Sequence, residues 1–229
     1  LLEDTPGHDL FQRWVVQLLG QIRDRIQWDP VEGESLVESK LRSLILGILI
    51  RCNDQAAITT ACARVTSFLA TGEGLSTDLR SMAYRAAVRH CPDRTAYDAL
   101  LARARSSDLQ EEKMRCYMAL GTSRDPNLLR ETLELAKSDE VRSQDAVSVI
   151  AAVGRNRFGR HMAWEYLKAN WDVFTKKYES GSLLIGLVSV CTRFATEQMA
   201  NEVEAFLTVH PVPTLDRVRE QSVERIRLA

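Results

Sequence analysis

Apolar residues recur at helical spacing along almost all of this chain, and no segment sustains the every-other-residue alternation of a strand. That period decides what a segment can bury. A 3.6-residue repeat lays its apolar side chains along one helix face, whereas a two-residue repeat lays them on one face of a sheet. Leu10, Trp14, Leu18, Ile22 and Ile26 form the clearest stripe, and their i, i+4 spacing predicts a helix with that stripe turned to a core. Pro30 ends the run, since proline lacks an amide donor and restrains the residue before it. Further helices are predicted over 35–51, 54–70, 78–90, 94–105 and 108–120, then over 144–153, 160–170, 183–193, 197–209 and 215–228. The fold class is all-α.

The breaks between these stretches carry their own chemistry. Thr71-Gly72-Glu73-Gly74 reads as a turn, and Ser107 with Gln110 fits a capping box. Gly121 is placed to follow a helix C-terminus, where a left-handed backbone suits glycine. Asp125 before Pro126 predicts a helix start, because the carboxylate accepts an orphan amide and proline has none to orphan. Leu128, Leu129, Leu133 and Ala136 then make the buried face. Alternate helices recur roughly every 35–40 residues, the spacing of stacked helix pairs. The expectation is a curved superhelical array of antiparallel HEAT/ARM-like helix pairs, residues 1–229 forming one domain with a weak internal boundary near 71–76. Such an array offers a concave surface able to hold an extended peptide.

Charge and cysteine usage exclude several classes. Lys plus Arg number 30 against 31 for Asp plus Glu, so no net field draws the chain to nucleic acid or an anionic membrane. No apolar run approaches the roughly 20 residues that span a bilayer. The five cysteines are scattered without a C-x-x-C pair, which points to reduced thiols and a cytoplasmic location. The first residues carry no signal-peptide pattern and read as the start of a fragment.

A search for catalytic chemistry returns absences. The histidines are His8, His90, His161 and His210, no two of them four apart, so the H-E-x-x-H zinc motif is missing. G-x-S-x-G, P-loop and G-x-G-x-x-G motifs are missing too. His90 and Cys91 are adjacent, but neighbours on a helix point about 100° apart and do not meet as a thiolate–imidazole pair. Asp139 and Glu140 suit a solvated acidic pair before a helix better than an acid–base couple. Trp164, Tyr166 and Trp171, with no basic stripe around them, suit core packing better than base stacking.

Three motifs in order carry a family resemblance: ALGTSRDPNLL from Ala119, VRSQDAVSVI from Val141, and AWEYLKANW from Ala163. Trp28-Asp29-Pro30, the LSTDLRS stretch from Leu75 running on to Tyr84, and VEAFLTVHPVP from Val203 extend it over nearly the whole chain. The sequence resembles the C-terminal helical domain of the puromycin-sensitive aminopeptidases and their relatives. The resemblance implies a non-catalytic domain that encloses the active-site cavity of a zinc aminopeptidase and holds the distal part of a peptide substrate. Zinc, the amine-recognition loop and the general base would lie in a catalytic domain of the same polypeptide. Members of this type continue past the position of Ala229 with an N-x-x-W stretch, so a longer chain is expected. Gly154-Arg155-Asn156 is similar to a G-R-N of the peptide-trimming relatives of the endoplasmic reticulum, where basic residues of the helical bowl receive the peptide's C-terminal end. That implies a substrate-binding role for Arg155, and Arg193 falls where many relatives carry a cavity-lining basic residue. The competing reading of Arg155 is a cation that caps carbonyls at a helix C-terminus. Arg80 reads as a structural arginine bridging helices, and Arg124 as a brace for the Asp125-Pro126 cap. The alternative to an aminopeptidase domain is a free-standing HEAT-like scaffold that binds a protein partner.

Overall fold

The computed structural model describes residues 5–23, 25–91, 93–178 and 182–229. Among these the chain forms helices α1 His8–Leu18, α2 Gly20–Arg23, α3 Leu36–Arg51, α4 Gln55–Thr71, α5 Thr77–His90, α6 Thr95–Ser106 and α7 Gln110–Leu120. There follow α8 Pro126–Lys137, α9 Ser143–Arg155, α10 Arg160–Ala169, α11 Trp171–Lys177, α12 Ser182–Cys191, α13 Glu197–Val209 and α14 Asp216–Arg227. No strand occurs among the described residues, and consecutive helices pack on one another in an all-α array. The described residues divide into two compact units, one up to Leu120 and one from Gly121 onward. The turn at 71–76 lies inside the first, joining the packed pair α4 and α5.

In the first unit, Ser39 and Ser43 of α3 donate to the Asp78 carboxylate and carbonyl at the start of α5, while Gly47 of α3 lies against Met82. Helices α3 and α5 therefore run the same way, with α4 turned back between them. Gly72 makes that reversal possible: it closes α4 at φ +79°, a left-handed conformation that costs glycine nothing. A capping box does start a helix here, but at Ser35 with Glu38. Ser107 instead accepts the amide of Leu109 in a local turn. The core of the unit is centred on a buried carboxylate. Glu112 of α7 accepts Tyr84 Oη at 2.6 Å, Arg103 Nε at 2.5 Å and Arg115 Nη1 at 3.1 Å. Arg80 approaches the same carboxylate at 3.5 Å. The Arg80 and Arg103 guanidiniums also sit 4.4 and 4.5 Å from the Phe68 ring centre, so one aromatic on α4 carries two cations. Arg80 thus joins helices, as its sequence context suggests.

The first stripe behaves differently from expectation. Leu10 and Leu18 are about 60% exposed, α1 buries none of its residues, and the run breaks at Leu19 before α2. The reason lies on the opposite face. Gln12 donates to the Arg51 carbonyl and accepts from Asn53, which fastens α1 to the end of α3 by its polar side and leaves the apolar side uncovered.

In the second unit the Asp125-Pro126 start is as expected, with the Asp125 carboxylate accepting Asn127 N at 2.8 Å. Arg124 does not brace it; the Ser123 hydroxyl accepts the Asp125 amide. Gly121 serves packing rather than a left-handed cap, because a Cβ there would lie 2.7 Å from that of Ala152 on α9. Trp164 and Trp171 are core residues, each packed edge-on to Phe206 at 5.3 and 5.1 Å between ring centres. Trp164 Nε1 also donates to Glu202 at 2.7 Å.

Candidate functional site

The end of α9, which carries Arg155, meets the last turn of α12, just before Arg193, in the second unit. Arg155 is the last residue of α9, and Arg193 lies two residues beyond the end of α12. The two helices pack together, and their ends meet because residue 154 is glycine. A Cβ at Gly154 would stand 3.2 Å from Val190 Cγ1 and 3.3 Å from the Val190 carbonyl oxygen. Asn156, buried on the other side of Arg155, donates to the Gly121 and Ser123 carbonyls at 3.0 and 2.6 Å. Its side-chain Oδ1 accepts the Phe158 amide at 3.2 Å. Gly159 completes the turn by close approach, since a Cβ there would lie 2.8 Å from the Val153 carbonyl.

The G-R-N tripeptide therefore divides its work. Gly154 and Asn156 hold the helix ends together, while the Arg155 side chain is exposed and makes no hydrogen bond or ion pair with any described residue. It caps no carbonyl. Arg193 is likewise exposed and without a partner among the described residues.

A third guanidinium lies close to Arg193. Arg225 of α14 donates to the Ser189 carbonyl at 2.8 Å and to Thr192 Oγ1 at 3.2 Å. Partial burial and the nearby Arg193 charge both push its pKa down. Such a cluster at helix C-termini suits an anion with planar oxygens, because guanidinium forms bidentate bonds to a carboxylate. Sequence spacing does not reveal Arg225, whose approach to Arg193 is made by α12 and α14 packing.

Other candidates fall elsewhere. No three His, Cys, Asp or Glu side chains converge as a metal site among the described residues. In the first unit a cleft of about 530 Å³ is lined by Ile22, Ile26, Val31 and Leu41 together with the Arg42–Glu34 ion pair. No described helix is long and apolar enough to cross a membrane.

Residues 1–228 match the ERAP1-like C-terminal domain family. The chain is 34% identical over 220 residues to Aminopeptidase M1-B of Oryza sativa subsp. japonica, covering 94% of this chain and 25% of that protein. It is 32% identical over 209 residues to Aminopeptidase M1 of Arabidopsis thaliana, covering 89% of this chain and 24% of the relative. It is 25% identical over 228 residues to Glutamyl aminopeptidase of Homo sapiens, covering 98% and 24%. The chain thus spans about a quarter of the length of these relatives.

Proposed function

Because this chain belongs to the ERAP1-like C-terminal domain family, we propose that it is the non-catalytic, HEAT-like C-terminal domain of a cytoplasmic zinc aminopeptidase. The enzyme removes N-terminal residues from peptides, and this domain encloses the active-site cavity and holds the distal part of the substrate. Zinc and the general base belong to the remainder of the polypeptide. One observation carries the substrate-binding part: Arg155 stands exposed and unpartnered while its two neighbours make the structural contacts. Together with Arg193, Arg155 receives the carboxylate at the peptide's C-terminus, and Arg225 adds to the field.

The exposed face of α1 and the cleft beside α3 support a second element of this reading. They seat the upstream part of the same polypeptide; in the relatives the residues outside the matched region are about three times as many as those within it. The same face also favours the alternative, a free-standing scaffold for a separate protein. Stable association of the chain with the separately expressed upstream part would support the aminopeptidase reading, and its absence the scaffold.

Kinetics of the full-length enzyme test the site. Arg155→Ala raises KM for peptides long enough to reach the cluster, by about 1–3 kcal/mol of lost binding, and leaves a short aminoacyl-arylamide unchanged. Amidating the peptide's C-terminus reproduces the defect in the unmutated enzyme and adds nothing in the variant. Additive effects would show that Arg155 does not meet that carboxylate.

A further inference from the structure

We propose that Arg225, with Thr192 and Ser222, is a positioning residue: it ties the end of α12 to α14 and so holds the turn that presents Arg193 to a peptide carboxylate. The inference rests on the reading of Arg193 as a carboxylate-binding residue and adds to it the part of the fold that keeps this guanidinium in place. Arg193 stands in a three-residue turn, because the Phe194 amide donates to the Thr192 carbonyl at 3.1 Å across it. Both neighbours point inward. Thr192 is fully buried, and Phe194, 6% exposed, has its ring 4.9 Å from that of His161 on α10. The side chain between them is the exposed one.

A helix end followed by a tight turn frays unless its last carbonyls find donors. Here they find them in two places. The Val188 carbonyl accepts the Thr192 amide at 3.1 Å and the Thr192 hydroxyl at 2.9 Å. The Ser189 carbonyl accepts Arg225 Nη2 at 2.8 Å, and the same nitrogen donates to Thr192 Oγ1 at 3.2 Å. Thr192 Oγ1 also shares a hydrogen bond of 3.1 Å with Ser222 Oγ, one turn before Arg225 on α14. Two residues of α14 therefore grip one buried hydroxyl at the base of the Arg193 turn.

The grip has a consequence for Arg193. A basic side chain just beyond a helix C-terminus commonly turns back to cap the last carbonyls. Arg225 already occupies the Ser189 carbonyl, and its like charge opposes a second guanidinium there. Arg193 is thus left with all its donors for a ligand. The second unit presents its two exposed arginines by the same division of labour. Gly154 and Asn156 make the structural contacts around Arg155, and Thr192 and Phe194 make them around Arg193. Only the second of these presentations is held by a further cation.

Two readouts on the full-length polypeptide test this. In Arg225→Ala, amide hydrogen exchange over residues 189–194 should be faster by about tenfold, and Arg225→Lys, which keeps a donor for Ser189, should restore it. KM for a long free-acid peptide should rise about 5–10-fold in Arg225→Ala, several times more than for the same peptide with an amidated C-terminus. Arg193→Ala should raise the free-acid KM at least as much, and adding Arg225→Ala to it should change KM by less than about 1.5-fold, because the second residue acts through the first. Thr192→Val removes an acceptor while keeping every charge. It should move both readouts in the same direction, and it carries the test should Arg225→Ala fail to fold. Unchanged exchange in Arg225→Ala, or an equal KM effect of Arg225→Ala with and without Arg193, would overturn the positioning role and leave the carboxylate reading of Arg193 standing. Faster exchange with no KM effect of Arg193→Ala would overturn that reading and the positioning role with it.

Discussion

Helices α1 and α9 are of similar length, 11 and 13 residues, and both carry an apolar face and a polar one. Helix α1 buries nothing, whereas α9 buries eight residues from Ala146 to Gly154. The difference comes from what each has to pack against. Helix α9 is met by α8, α10 and α12, and small residues at Gly121, Gly154 and Gly159 let those neighbours approach to contact. Helix α1 is fastened by the side chain of Gln12 to the end of α3, on its polar side. Ten of the fifteen large exposed hydrophobic residues of the described chain lie between Leu10 and Leu44, so the asymmetry belongs to the whole first segment. An amphipathic stripe states that a face is apolar; it does not state which part of the polypeptide covers it.

The largest effect that this contrast predicts is at Trp164. Its side chain is fully buried, packs edge-on to Phe206 and donates to Glu202. Trp164→Ala should destabilise the second unit by about 3–5 kcal/mol, read as a lower urea midpoint. A loss below about 1 kcal/mol would break the comparison, because it would mean that the α9–α10 region is no better packed than α1.

Glu112 comes next. It shows that the first unit also holds a well-made interior, away from its exposed first helices. Replacing it with Gln keeps an acceptor for Tyr84 but leaves the cations Arg80, Arg103 and Arg115 without their shared charge. Glu112→Gln should cost about 2–3 kcal/mol. Its pH dependence has a definite sign. Burial opposes ionisation, yet the hydrogen bonds from Tyr84, Arg103 and Arg115 outweigh it and hold the folded pKa at about 2, below the ordinary 4.5. The stabilisation is therefore complete above pH 4.5 and is lost as the pH falls through 2. Acid titration of stability in Glu112→Gln should be flatter across that window than in the unmutated chain.

What could be read beforehand divides along the same line. The Asp125-Pro126 start was legible because cap chemistry is settled within three residues, and the core placement of Trp164 and Trp171 because no basic stripe surrounds them. Gly121 was misassigned since its constraint is Ala152, far along the chain, and nothing local separates a glycine needed for φ from one needed for proximity. The Ser107–Gln110 pair has the letters of a capping box, but the Ser107 hydroxyl takes the nearer Leu109 amide. Helix α11 was missed because α10 gives way to it at a single residue, Asn170, with no proline or glycine to mark the break. At the candidate site the exposed helix-end position of Arg155 was foreseeable. The meeting of its helix end with α12, and of Arg193 with Arg225, was not, since packing of α9, α12 and α14 creates both.

The smallest expected effect falls on Trp14, the most telling residue of the comparison. It is 57% exposed and its ring lies 6.1 Å from that of Phe11, so α1 carries an aromatic pair on its open side. In the chain by itself Trp14→Ser removes little that is buried, and the urea midpoint should move by less than about 0.5 kcal/mol. In the full-length polypeptide, where we place the upstream part over this face, the same change exposes a newly unfilled apolar contact and should cost about 1.5–3 kcal/mol. The difference between the two losses is the informative quantity, because it cancels any intrinsic helix preference of serine, which acts equally in both. Equal small losses would leave the face open in both settings. A large loss already in the isolated chain would mean that another copy covers α1, and sedimentation of the unmutated chain would then show a dimer that the variant lacks.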